Sequence, residues 1–186
     1  MTTPISGSQS LSQIMSDIDL GPAGGIQMMF AKLQMAQSQI CKNQANDYMA
    51  QIQDIQAEQK ACADLIATAR DLQNKGMNGE GVGIKSISGT TTAGKDCYPM
   101  PQKLVDFMDE RNLSYPNSDK DYILGKDEWD YTLKSLTNYQ EQIGSKTQTL
   151  MVYLQDFIGQ HNSFLQGANT AISNANQVLT NIARGQ

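Results

Sequence analysis

The sequence is poor in the groups from which active sites are usually built. It has one His and three Cys in 186 residues, too few imidazoles and thiols for a histidine-based active site or a zinc site. No GxGxxG, Walker A, HExxH, CxxC or GxSxG pattern is present, which removes the spacing-defined phosphate, zinc, redox and nucleophile-elbow sites. The acidic cluster of Asp119, Asp121, Asp127 and Glu128 lacks EF-hand spacing, and capping of a helix N-terminus by Asp127 explains it more simply. No catalytic, cofactor-binding or metal-binding residue is assigned. An enzyme is not expected.

Basic residues never cluster, and the net charge is -5 with a pI near 4.7. Attraction to nucleic acid or to an anionic membrane surface is therefore not expected. No run of eighteen apolar residues exists, so no membrane span is expected either. Met1–Leu20 lacks the basic and continuous apolar regions of a secretory signal peptide, since the first Lys is Lys32. Its Ser, Thr and Gln content predicts an unstructured opening segment over residues 1–25. Cys41 and Cys62 are 21 residues apart, about 31 Å along one helix and beyond disulfide reach. Three free thiols are the expectation, although Cys97 could meet either of the others.

Charge itself is scarce. Charged residues make up 18% of the chain, against about a quarter in an average domain. Gln (21) and Asn (12) together equal them in number. Neutral amides thus do much of the work of solvation.

What is abundant is helical periodicity. Residues 26–75 contain no Pro or Gly, and apolar residues recur through Ile26, Met29, Leu33, Ala36 and Ile40, then Ala45, Tyr48, Ile52, Ile55, Cys62, Ile66 and Ala69. Between Ile40 and Ala45 this pattern slips in heptad phase. Gly76 reads as the C′ residue that ends the helix. Residues 76–126 form an insert: a Gly-rich loop with a weak hairpin at Val82–Ile87, then a short helix over 101–111 that turns Leu104, Val105, Phe107 and Met108 inward.

Over residues 127–184 helical periodicity resumes. With Leu133 at heptad position a, the seam continues through Leu136, Gln140, Ile143, Thr147, Leu150, Leu154, Phe157, His161, Phe164, Ala168, Ala171, Ala175, Val178 and Ile182. Such sustained 3–4 spacing is a coiled-coil pattern. Two helical runs of ~75 and ~84 Å around one insert predict an all-α fold, a long antiparallel hairpin with a small mixed insert at one end.

A two-helix hairpin needs only that seam, yet the e positions from residue 151 on are apolar too: Met151, Ile158, Leu165, Ile172 and Leu179. Leaving all five in water would forgo on the order of 10 kcal/mol, comparable to the stability of a whole domain. The hairpin is expected to assemble with copies of itself or with a partner. The b positions, Gln148, Gln155, Asn162, Asn169 and Asn176, form an unbroken amide stripe. It reads either as a solvated face or as the wall of a water-filled passage in a polymer. His161, at an a position, is either an imidazole packed in the seam or a pH-sensitive assembly switch.

Two segments carry a family resemblance: Met100–Asn112 (MPQKLVDFMDERN), and Leu124–Leu136 (LGKDEWDYTLKSL) at the start of the last helix. Together with the layout of residues 26–186, they make the chain resemble the EspA-like hydrophilic translocators of bacterial type III secretion. The resemblance implies a secreted, non-enzymatic protein at the bacterial cell surface. It would polymerise on a secretion needle as a hollow filament, or as a needle-tip extension, and conduct effectors and pore-forming translocators toward a host cell. It implies a cytosolic chaperone before export and an N-terminal export signal.

Carried onto this chain, the coiled-coil core is Ile52, Ile55, Ile66, Leu150, Leu154, Phe157, Phe164, Val178 and Ile182. Met151, Ile158, Leu165, Ile172 and Leu179 are intersubunit contacts, and Gln148, Gln155, Asn162, Asn169 and Asn176 are lumen candidates. Two other classes compete. One is a soluble coiled-coil adaptor or chaperone that binds a single partner through the same face. The other is a membrane-active amphipathic protein, disfavoured by the lack of Lys and Arg beside the apolar stripe.

Overall fold

The computed structural model describes residues 10–19, 25–82, 96–117 and 121–185. The chain is predominantly helical, with one long helix packed against another and a small strand insert. The elements are α1 (Leu11–Asp17), α2 (Ile26–Lys75), a π-helical turn (Gly76–Glu80), β1 (Tyr98–Pro99), α3 (Gln102–Glu110), β2 (Ile123–Leu124) and α4 (Lys126–Arg184). They form two compact units. One comprises Met1–Gln53 with Gln148–Gln186, the other Asp54–Thr147.

The second unit, Asp54–Thr147, has an ordinary core. Cys62, Leu65, Ile66, Ala69 and Leu72 of α2 meet Leu104, Val105, Phe107 and Met108 of α3 and Trp129 and Leu136 of α4. The four α3 residues are those its amphipathic spacing turns inward. Within this unit α2 and α4 run antiparallel: Glu58 meets Tyr139, Cys62 meets the Leu136 carbonyl, and Gln73 meets Lys126 and Asp130. α3 ends in a Schellman motif. Leu113 N–H donates to Met108 O, Asn112 N–H donates to Asp109 O, and Asn112 takes a left-handed φ of 53°.

The structure corrects several local expectations here. α2 does not end on Gly76 as a C′ residue; it runs on into the π-helical turn, and the left-handed residue is Gly79, with φ 77°. Gly76 is needed for a different reason. A Cβ there would lie 3.0 Å from the Asp96 carbonyl oxygen, so the backbone of the returning chain passes where a side chain would stand. Asp127 does not cap α4. Its Gly125 N–H is instead satisfied by the Glu128 carboxylate at 2.9 Å, the reach-back half of a capping box. The pairing in the insert is also different. Tyr98–Pro99 pairs antiparallel with Ile123–Leu124, and Val82 bridges to Cys97, while residues 83–87 of the expected hairpin lie outside the described residues.

In the first unit, the seam of α2 runs through Ser38, Cys41, Ala45, Tyr48 and Ile52, an unbroken 3–4 series. The expected phase slip at 40–45 is absent. Cys41 is buried while Ile40 is only half-buried, because a small thiol and a hydroxyl hold seam positions that an apolar pattern does not mark. Antiparallel pairing here is set by Ser38 with His161, Cys41 with Gln160, and Tyr48 with Tyr153 and Phe157.

Part of the opening segment is ordered as well. Leu11–Asp17 is helical, where composition predicts no structure. Ser10 and Gln13 form a reciprocal capping box, and Ile14 is buried. The Ser-x-x-Gln spacing was the local signal that outweighed composition.

Candidate assembly interface

The side chains that the first unit buries are small. Its buried apolar positions include Ala31, Ala36, Cys41, Ala45, Ala168, Ala171 and Ala175, with Ile52 and Leu150 among the few larger ones. The largest fully buried side chains, Trp129, Leu104, Met108, Leu124 and Leu136, all belong to the second unit. Conversely, most of the exposed large apolar side chains are in the first unit, among them Ile26, Met29, Phe30, Val152, Leu179 and Ile182. Buried alanine is ordinary; the informative feature of this unit is that so many of its large apolar side chains stay exposed.

Of the five e positions, Met151, Ile158, Leu165 and Leu179 are 45%, 42%, 37% and 56% exposed, and Ile172 is half-buried. The five amide positions, Gln148, Gln155, Asn162, Asn169 and Asn176, are all exposed. One helix therefore presents an apolar stripe bordered by an amide stripe, with Asp156 and Arg184 as its only charges from Gln148 onward. Each amide lies three or four residues from an e position, so the amides form the wet edge of an apolar surface that other helices can cover.

The core positions divide. Ile52, Ile55, Ile66 and Leu150 are buried; Leu154, Phe157 and Phe164 are half-buried. Phe157 stacks on Tyr48 with ring centroids 5.5 Å apart and planes 15° from parallel. Val178 and Ile182 are not core in this structure, being 49% and 59% exposed. The cause is length. Gln34 faces Gly167, so counting back to Ile26 brings the start of α2 opposite Ala175, the last buried seam residue of α4. Beyond it α4 continues with no described turn of α2 opposite.

At the centre of this seam sits a polar layer. His161 Nδ1 lies 2.6 Å from Ser38 Oγ and 3.0 Å from the Ser38 carbonyl, and Ser38 Oγ is 3.3 Å from the His161 carbonyl. Sequence reasoning placed His161 in the seam but missed Ser38. A polar pair in an otherwise apolar or small seam fixes register, because sliding by one heptad would leave both groups unpaired.

The cysteines are all unpaired and buried. Burial pushes each thiol pKa up, with Asp156 adding to it at Cys41, so none is an activated nucleophile. Among the described residues no group of three His, Cys, Asp or Glu side chains could hold a metal ion, and no helix is long and apolar enough to cross a membrane. The chain matches no protein-family model, and no curated protein or solved structure is significantly similar to it.

Proposed function

We propose that the chain is a non-enzymatic structural subunit that polymerises through its first unit, as a secreted, hollow type III secretion filament or a needle-tip extension of one. The observation that carries this is the exposed apolar stripe of Met151, Ile158, Leu165 and Leu179, beside a seam that closes largely on alanine. Copies of the chain laid side by side would bury those residues against each other. Gln148, Gln155, Asn162, Asn169 and Asn176 would then face a water-filled lumen, where neutral amides offer passing cargo neither charge nor apolar grip.

The resemblance of Met100–Asn112 and Leu124–Leu136 to the EspA-like translocators supplies the biological setting. Effectors and pore-forming translocators are the cargo in this reading, the secretion needle is the base, and a cytosolic chaperone covers the apolar stripe before export.

Electron microscopy and sedimentation of the purified chain test it. Tubes with a lumen are expected from the wild type. Leu165→Asp is expected to remain helical by circular dichroism and to form none. A wild type that stays a discrete monomer or dimer at high concentration would remove the filament and favour an adaptor with one partner.

A further inference from the structure

α1 lies beside one residue of the apolar stripe of α4, Leu165. Ile14 of α1 is 5% exposed, and it lines, with Ile18, Met35, Ser38, His161 and Leu165, a groove in the first unit with about 430 Å³ of open space. The e-position residue Leu165 is thus part of the seat of α1.

We propose that α1 is an exchangeable arm. In the free chain it lies in its own groove, and on assembly the α1 of a second copy takes the same groove. This rests on the reading of the first unit as a self-binding surface, and it names the occupant of one part of that surface. The complementarity needs no new design, since the contacts that seat the arm in its own chain are the contacts it would make on a neighbour.

Reach is sufficient. Between Ile18 of the groove and Gly25 at the start of α2 the sequence includes Gly21, Pro22, Ala23 and Gly24, and the seven steps from one to the other span at most about 25 Å when extended. An adjacent helix, about 10 Å across, lies within that distance. Each chain gives one arm and receives one, so the contact is head-to-tail and propagates unless it closes into a ring.

Complementation between two full-length variants tests this. Ile14→Asp removes the arm but leaves the groove, and Leu165→Asp damages the groove but leaves the arm. Each alone is expected to be monomeric by sedimentation velocity. Their equimolar mixture is expected to form a 1:1 dimer that stops there, at concentrations at least about tenfold below those at which either variant alone associates. Ile14→Ala and Leu165→Gln give the same pairing pattern, and circular dichroism checks that α2 and α4 stay folded in all four.

A mixed dimer supports the exchange even if the wild type never forms tubes, in which case the filament alone is lost. A mixture that stays monomeric overturns the exchange, and if the wild type still polymerises the filament reading stands without it. Polymerisation of Ile14→Asp at the wild-type concentration overturns it too.

Discussion

At the scale of single residues, the second unit holds the tightest cluster. Arg111 Nε donates to Glu58 Oε1 at 2.6 Å, Tyr139 Oη donates to the same oxygen, and the Arg111 guanidinium lies 3.9 Å from the centre of the Phe107 ring. Burial pushes the Glu58 carboxyl up. The hydrogen bonds from Tyr139 and Arg111 and the Arg111 charge outweigh it, and the net shift is downward. Burial together with that carboxylate raises the Tyr139 phenol to about 12, and burial with Asp109 does the same for Tyr115.

The two signs differ. A lowered carboxyl contributes stability above its unfolded value that is lost as pH falls through its folded one. A raised phenol contributes stability below its unfolded value, near 10, that is lost as pH rises to about 12. Urea midpoints read by fluorescence of Trp129, the single tryptophan, should therefore fall between pH 10 and 12, and Tyr139→Phe with Tyr115→Phe should flatten that fall. Glu58→Gln should cost about 1–3 kcal/mol at neutral pH and blunt the acid limb; an unchanged midpoint at neutral pH would contradict the cluster's role. Asn112 provides a backbone test. Asn112→Val, which puts a β-branched residue at φ 53°, should lose about 1–2 kcal/mol, and Asn112→Gly should be close to neutral.

At the scale of elements, legibility in the sequence followed side-chain size. α3 was readable because Leu104, Val105, Phe107 and Met108 are large and apolar and sit on one face, and all four are buried. The seam of α4 was readable as far as Ala175 because its 3–4 spacing is sustained over six heptads, even where alanine or a polar residue holds a position. The seam of α2 was misread near residue 40 because Ser38 and Cys41 occupy it, and a hydroxyl is buried at low cost only when its partner, here His161 of α4, is known. α1 was missed because a seven-residue helix with one buried side chain barely changes composition. The end of the core was unreadable for a different reason: Val178 and Ile182 keep the heptad phase, but only the start of α2 decides whether anything lies opposite. The exposure of Met151, Ile158, Leu165 and Leu179, by contrast, was legible, since one seam cannot use an a/d/e face. A close alanine seam leaves no space for larger groups, so Ala171→Leu should destabilise the chain by about 1–3 kcal/mol through overpacking, read as a lower thermal midpoint by circular dichroism.

At the scale of the whole molecule, each unit has its own energetics. The second buries Trp129, Leu104, Met108 and Leu136 almost completely. The first buries mainly alanine and leaves many of its larger apolar side chains exposed. Hydrogen exchange on the free chain should show slower amides across 100–108 and 129–136 than across 150–175, with the difference shrinking on assembly. The scarcity of charge in α4 from Gln148 onward suits the proposed assembly, because an ion buried in such a contact would carry a desolvation cost.

Hydroxyl-radical footprinting of the wild-type chain, dilute and concentrated, reads the central claim most directly. Met151 and Met77 are 45% and 50% exposed, one on the apolar stripe and the other in the second unit. Labelling of Met151 should fall severalfold on assembly while that of Met77 persists. Equal labelling of Met151 in dilute chain and in polymer would show that the stripe is not the surface through which the subunits meet.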